Sequence, residues 1–250
     1  MNLFRVRGIQ LAVHYSFFLF LAYYAFLGWT DDGVAGMFWW SAVLVTFFFC
    51  VVLHELGHSF TALHYGIGVR RILLMPIGGM AEFTSIPREP RREAWITLAG
   101  PAVNFAIAAV LWLTLPPLET TPETVSSFLE LGHLLMLWNL LMGCFNLLPA
   151  FPMDGGRLLR AGLATRLTYL RATFWAATVG KVVAAVGFAA GAYFEQPMLM
   201  VLFGFIFFVG EMEYRAEKRR EREETYYRER LARLYAETPP ADEPPLLYRS

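Results

Sequence analysis

Long apolar runs broken by short polar stretches carry the chain from Ser16 to Val209, and a segment of mostly Glu, Arg and Lys follows from Glu211 to Arg233. A helix needs about 20 mostly apolar residues to cross a bilayer. Six runs approach that length: His14–Trp29, Gly36–Tyr65, Trp95–Leu115, Phe128–Leu148, Phe174–Phe194 and Pro197–Glu211. The first and last are short and the second is long. Backbone amides in hydrocarbon need internal partners, so each span is expected to be a helix. A β-barrel would show shorter segments of alternating polarity. A secretory leader would be one apolar run opening into a soluble domain, whereas here the first run is followed by several more. The expected fold class is an all-α polytopic membrane protein with about six transmembrane helices. Residues 70–85 depart from the pattern. Their centre, MPIGGMAEF, is apolar but punctuated by Pro76, Gly78 and Gly79. It is too short for a span and predicts a re-entrant or β-like segment at the membrane rim. Residues 1–212 are expected to form the transmembrane core, and 213–250 a charged helix ending in a Pro-rich tail.

Composition agrees. Of 250 residues, 56% are hydrophobic and 17% charged, against about a quarter charged in soluble domains. Lys and Arg number 21, as do Asp and Glu, so the basic excess of a nucleic-acid binder is missing. Cys50 and Cys144 both sit in apolar runs, which excludes a disulfide framework and a Cys-rich zinc module. The basic residues alternate by loop. Arg5 and Arg7 precede span one; Arg70, Arg71, Arg88, Arg91 and Arg92 lie between spans two and three. Arg157, Arg160, Arg166 and Arg171 lie between spans four and five, and nine Lys or Arg follow span six. The opposite loops hold Asp31, Asp32, Glu119, Glu123 and Glu195. The positive-inside rule then places both termini in the cytoplasm, with a prokaryotic plasma membrane as the expected location. Lys181 falls inside span five, where a charge must snorkel or find an acidic partner.

The chemistry sits in span two, in VVLHELGHSF. His54 and His58 are four residues apart and share one helix face, so one metal ion can lie between their imidazoles. Glu55 is placed to serve a metal-activated water as general base. Four residues matching HExxH carry little weight alone. Two histidines and a glutamate inside an apolar helix carry much more, because burying them without a use is costly. The alternative is a set of polar residues that only ties a helix bundle together. Zinc in catalytic sites takes three protein ligands, and Asp154 is the best third candidate. It lies in NLLPAFPMDGGR, where Pro149 and Pro152 end one helix and Gly155 and Gly156 permit a tight turn. Asp154 also suits the role of a cap at a helix start.

Together the two motifs resemble the site-2 protease family of intramembrane zinc metalloproteases, in its compact prokaryotic form without appended regulatory domains. HELGH at His54–His58 matches the first motif and LPAFPMDGG at Leu148–Gly156 the second. AGPAVN at Ala99–Asn104 resembles a Gly-Pro-x-x-Asn element of the third core helix, and MPIGGMAEF the edge segment that pairs with extended substrate. The resemblance implies an endopeptidase that cuts transmembrane protein substrates within or near the bilayer. It implies Zn2+ held by His54, His58 and Asp154, with Glu55 activating the water. Asn104 would bond near the scissile peptide or its oxyanion. Gly78, Gly79 and Asn146 would contact substrate. Interhelical hydrogen bonding is the plainer role for either asparagine. Regulation would come from partners, the charged tail or substrate supply; that tail is read as lying along the membrane or against a second copy.

Two other readings compete. A membrane metal transporter would also place His and acidic residues in spans, but would show further ligands along a path and an inverted repeat; neither is evident. A non-catalytic metal-binding membrane protein would not need Glu55. Among the other polar groups, His14, His64 and His133 read as rim residues, and Cys50 as packing. Glu82 is expected to meet substrate or an arginine.

Overall fold

Arg7 and Gly8 both adopt positive φ, 47° and 89°, which makes a two-residue turn matched to strand twist. It joins β1 (Asn2–Val6) to β2 (Ile9–Val13) in an antiparallel pair. The structure, a computed structural model, describes residues 1–76, 78–84, 88–116 and 128–237. Glu119 and Glu123 of the expected outer loop, Pro87, and the Pro-rich tail from residue 238 onward lie outside these. α1 (Tyr15–His64) follows, then β3 (Val69–Met75) and β4 (Gly78–Phe83). β3 pairs in parallel with β2 and antiparallel with β4, giving the sheet order β1-β2-β3-β4. The β-like segment expected near 70–85 is therefore a hairpin. The strands at residues 2–13 that complete its sheet were not expected.

α1 is two helices joined end to end. Asp32 and Gly33 leave helical geometry, with Gly33 at φ 57°, and the chain turns back on itself there. Phe17 then meets Phe48 with ring centroids 4.8 Å apart, and Tyr24 meets Trp40 at 6.4 Å. The turn sits between the first two expected spans, which become residues 15–31 and 34–64. The remaining helices are α2 (Pro90–Thr114), α3 (Phe128–Asn146), α4 (Asp154–Ala164), α5 (Tyr169–Tyr193) and α6 (Pro197–Glu237). Of the six helices among the described residues, α1, α2, α3, α5 and α6 are long and apolar enough to cross a membrane. With α1 counted as two legs, they supply six crossing segments, as a multi-pass membrane protein requires. α2 begins five residues ahead of the expected span, because Pro90 suits a first helical turn that the polar residues 91–93 then continue. α6 passes through Glu211 and the charged segment without a break.

Along α5 large side chains face outward and small ones inward. On α5 the buried residues include Ala172, Ala176, Ala177, Gly180 and Ala184, while Trp175, Val182 and Val186 are exposed. This is the packing of helices that share a lipid solvent, where close approach replaces the hydrophobic effect. The sheet lies against the end of α1: Ile9, Leu11, Val69 and Ile72 pack with Ala62 and with Ile96 of α2. Val13 and Leu74 pack with Phe48 and Val51. The sheet is thereby fixed beside the turn of α1 that bears the histidines.

The α1 hairpin depends on its two facing glycines, since a Cβ on Gly28 would overlap the carbonyl of Gly36. Gly28→Leu is expected to cost about 1–3 kcal/mol through overpacking, read as a lower thermal unfolding midpoint in detergent.

Candidate metal centre

His54 and His58 lie one turn apart on the second leg of α1, 5% and 7% exposed. Each ring is oriented through its Nδ1. His58 Nδ1 lies 2.7 Å from the carbonyl of Ile96 on α2. A carbonyl only accepts, so this nitrogen carries the proton and Nε2 is left with a bare lone pair. For His54 the same conclusion comes through a relay. Asn139 of α3 donates from Nδ2 to the Leu135 carbonyl at 2.8 Å, which fixes its amide orientation. Its Oδ1 then accepts from Asn104 Nδ2 at 2.8 Å. Asn104 Oδ1 therefore faces His54 Nδ1, at 2.5 Å, and accepts the hydrogen bond that its N–H donates. Asn104 and Asn139 are both fully buried.

Asp154 is the first residue of α4, brought in by the loop from α3 through Pro149 and Pro152. Its Oδ2 is 3.3 Å from His54 Nε2 and 3.2 Å from His58 Nε2, and the two Nε2 atoms are 3.1 Å apart. Asp154 Oδ2 is buried and has no hydrogen bond. With both imidazoles neutral, three acceptor atoms thus face one another. Ligands about 2.0–2.2 Å from a tetrahedral zinc stand roughly 3.3–3.5 Å from each other, so this triangle suits one such ion. Among the described residues, these three side chains are the group able to hold a metal ion. Gly100 makes room for the rings: a Cβ there would overlap His58 Nε2 and lie 2.8 Å from His54 Cε1.

Glu55 is half-buried beside His54, on the side of β4. A Cβ on Gly79 would come within 2.7 Å of Glu55 Cγ. β4 is an outer strand of the sheet, so its far edge leaves backbone groups free to pair. Gly78 and Gly79 open this strand. Arg71 across the hairpin grips Glu82 at 2.7 Å and holds its carboxyl below the usual carboxylate range. Asn146 ends α3, and its Nδ2 donates to the Met142 carbonyl at 3.0 Å. The other histidines stand apart: His14 caps α1 by accepting from the Ser16 amide, and His133 bonds the Leu129 carbonyl in its own helix. Lys181 finds an acid after all, Glu211 on α6, at 3.0 Å.

The sequence marked Gly100 only as part of its Gly-Pro-x-x-Asn element, without its role of making room for the rings, and it did not mark Asn139 or the Ile96 carbonyl. Asn139 was detectable as a lone amide in an apolar helix, the same signal that marked Asn104. The carbonyl of Ile96 leaves no trace in a side-chain pattern.

Comparison with known proteins gives one family. A profile described as peptidase family M50 matches residues 42–124 and 119–191. The solved structure of the site-2 protease from Methanocaldococcus jannaschii aligns with a TM-score of 0.63 at 37% identity, over 86% of this chain and 94% of that one. A zinc metalloprotease from the same organism is 38% identical over 221 residues, 86% of this chain and 60% of that protein. Rip3 of Mycobacterium tuberculosis, named as a candidate zinc metalloprotease, is 33% identical over 75% of this chain and 50% of its own length. The chain thus spans 50–60% of the full length of these last two relatives.

Gly100→Ala places a methyl group where the His58 ring stands. Zinc affinity, read by competition with a chromogenic chelator, is expected to fall at least about tenfold, the scale of damage to ligand support, while the circular dichroism of the helices is unchanged.

Proposed function

The chain belongs to peptidase family M50, the site-2 proteases, and from that membership we propose that it is a zinc endopeptidase cutting transmembrane proteins within or near the bilayer. The observation that carries this reading is the convergence of two bare imidazole nitrogens and a carboxylate oxygen beside Glu55 and an open strand edge. Zinc held by His54, His58 and Asp154 would polarise a peptide carbonyl and make a water nucleophilic near neutral pH.

The chain's own residues do the rest. An extended substrate segment adds to the edge of β4 through main-chain hydrogen bonds, with Gly78 and Gly79 letting the two backbones approach. Strand pairing requires the substrate helix to unwind locally, which exposes the peptide carbonyl that a helix keeps bonded. Glu55, next to that strand, takes a proton from the attacking water and returns it to the leaving nitrogen. Asn104 supports His54 through Oδ1 and bonds Asn139 through one N–H of Nδ2, which leaves its second N–H to donate toward the oxyanion. Its bond to Nδ1 keeps the His54 lone pair on the side of the metal. Asn146, just ahead of the loop to Asp154, is assigned to substrate contact through its amide oxygen.

The arginine-rich loops are assigned to the cytoplasm, with both termini there. Residues 1–212 would form the catalytic core and 213–250 a cytoplasmic extension. A transmembrane substrate and the lipid bilayer are the expected partners, together with a second copy or a regulatory membrane protein.

Glu55→Gln should retain zinc and lose cleavage of a panel of transmembrane substrates by about 10²–10⁴-fold; cleavage persisting near the wild-type rate would remove Glu55 from the mechanism. A membrane-impermeant thiol reagent applied to intact cells should label a cysteine placed at Asp31 and spare one placed at Arg88. The reverse pattern would invert the topology.

A further inference from the structure

α4 carries Asp154, yet it does not rest on the helix that carries the histidines. It packs along α2 and α5. α2 therefore sets the spacing between the two halves of the metal centre. One buried stripe of α2 serves this purpose: Glu93, Ile96, Gly100 and Asn104, all on the inward face. Three of these positions hold the imidazoles, through the Ile96 carbonyl, the bare Cα of Gly100 and the Asn104 amide. The fourth, Glu93, is turned to α4.

There it meets Arg160. Arg160 Nε and Nη2 donate to Glu93 Oε1 at 2.9 and 2.6 Å, and Nη1 donates to Glu213 of α6 at 2.9 Å. Phe151 and Tyr169 flank the guanidinium, with ring centroids 5.2 and 4.9 Å from Cζ. The Tyr169 hydroxyl also donates to Glu93 Oε1, at 3.1 Å. Arg160 and Glu93 are 3% and 4% exposed. A buried ion pair is a poor source of net stability, and well-packed apolar residues serve as well or better. What the guanidinium supplies is direction: two of its N–H groups converge on the single oxygen Oε1, leaving Oε2 without a hydrogen bond, while the third nitrogen reaches α6, so α4 is held at one distance and angle from α2.

We propose that Arg160 is a positioning residue for Asp154, setting the height and rotation of α4 on α2 through Glu93 so that the carboxylate faces the two imidazoles. Arg160 lies six residues beyond Asp154, about 9 Å along the helix axis. It acts through the frame of α4 and touches neither metal nor substrate. The inference rests on the zinc reading of the centre and adds to it the device that aims the third ligand.

The test uses the full chain purified in detergent. Zinc affinity is measured by chelator competition, and ligand geometry by the visible spectrum of the cobalt-substituted protein. Arg160→Met would strand the Glu93 carboxylate and endanger the fold. Arg160→Lys, which keeps the charge but loses the fork, and the neutral pair E93Q/R160Q are made instead. Both should bind zinc about tenfold more weakly or worse, with the tetrahedral cobalt bands shifted toward those of Asp154→Ala. In the Asp154→Ala background the same substitutions should change affinity by less than about twofold, since no carboxylate remains to be aimed. A full additive loss in that background would mean general loosening and would overturn the proposal. Glu213→Ala removes only the arm to α6 and should leave affinity within about twofold of wild type. A loss equal to that of Arg160→Lys would place the anchor on α6 and overturn the route through α2. Wild-type protein that bound no zinc would fail earlier, at the reading of the centre itself.

Discussion

Three lone pairs pointed at one another repel, and the architecture exists to hold them there. The Nε2 atoms of His54 and His58 and the Oδ2 of Asp154 stand 3.1–3.3 Å apart in a buried space. Water would relax such a cluster by solvating each atom separately. In a low-dielectric interior that release is denied, and attraction to a shared cation grows correspondingly. The restraints are all polar and buried: a backbone carbonyl on α2, a two-asparagine relay reaching α3, and the foot of α4. Each bond works by occupying the far side of a ligand, so that the near side has nowhere else to turn. Gly100 completes the arrangement by being absent as a side chain.

Much of this could be read from the sequence, for identifiable reasons. The spans were legible because hydrocarbon admits few backbone solutions, so apolar length alone constrains structure. HELGH and the Asp154 motif were legible because charged and titratable groups in apolar helices are expensive and therefore conspicuous. Less legible were features that depend on partners far along the chain. The strand Ile9–Val13 pairs with Arg71–Leu74, and five-residue strands carry too weak a period to announce that pairing. Asn104 was conspicuous, but its role as a support for His54 emerges only when Asn139 is seen behind it. The helix ends also moved. Pro90 starts α2 ahead of the apolar run, and α6 ignores the compositional boundary at Glu211.

That last departure reflects two ways of stabilising one helix. Within the apolar part, α6 lies on α5. Past Glu211 it is held by ion pairs, among them Arg88 with Glu217 and Glu224, and Arg160 with Glu213. Lys181 joins the two regimes through Glu211. Exposed pairs of this kind contribute little singly, but Arg160 and Glu217 are buried. In each of the Arg88 and Arg160 pairs to α6, however, at least one partner is more than a third exposed, so the pair is screened by solvent.

An unbroken α6 also has a mechanical meaning. Beyond Glu224, the outermost residue paired to Arg88, the helix runs on to Glu237, a further arm of about 20 Å at 1.5 Å per residue. Helices bend reluctantly without proline, glycine or a bulge, and this arm contains no proline or glycine. Force applied at its tip is therefore delivered to its base with leverage instead of being absorbed along the way. A load on that end has purchase on a rod whose other end is embedded beside the helices that carry the metal centre.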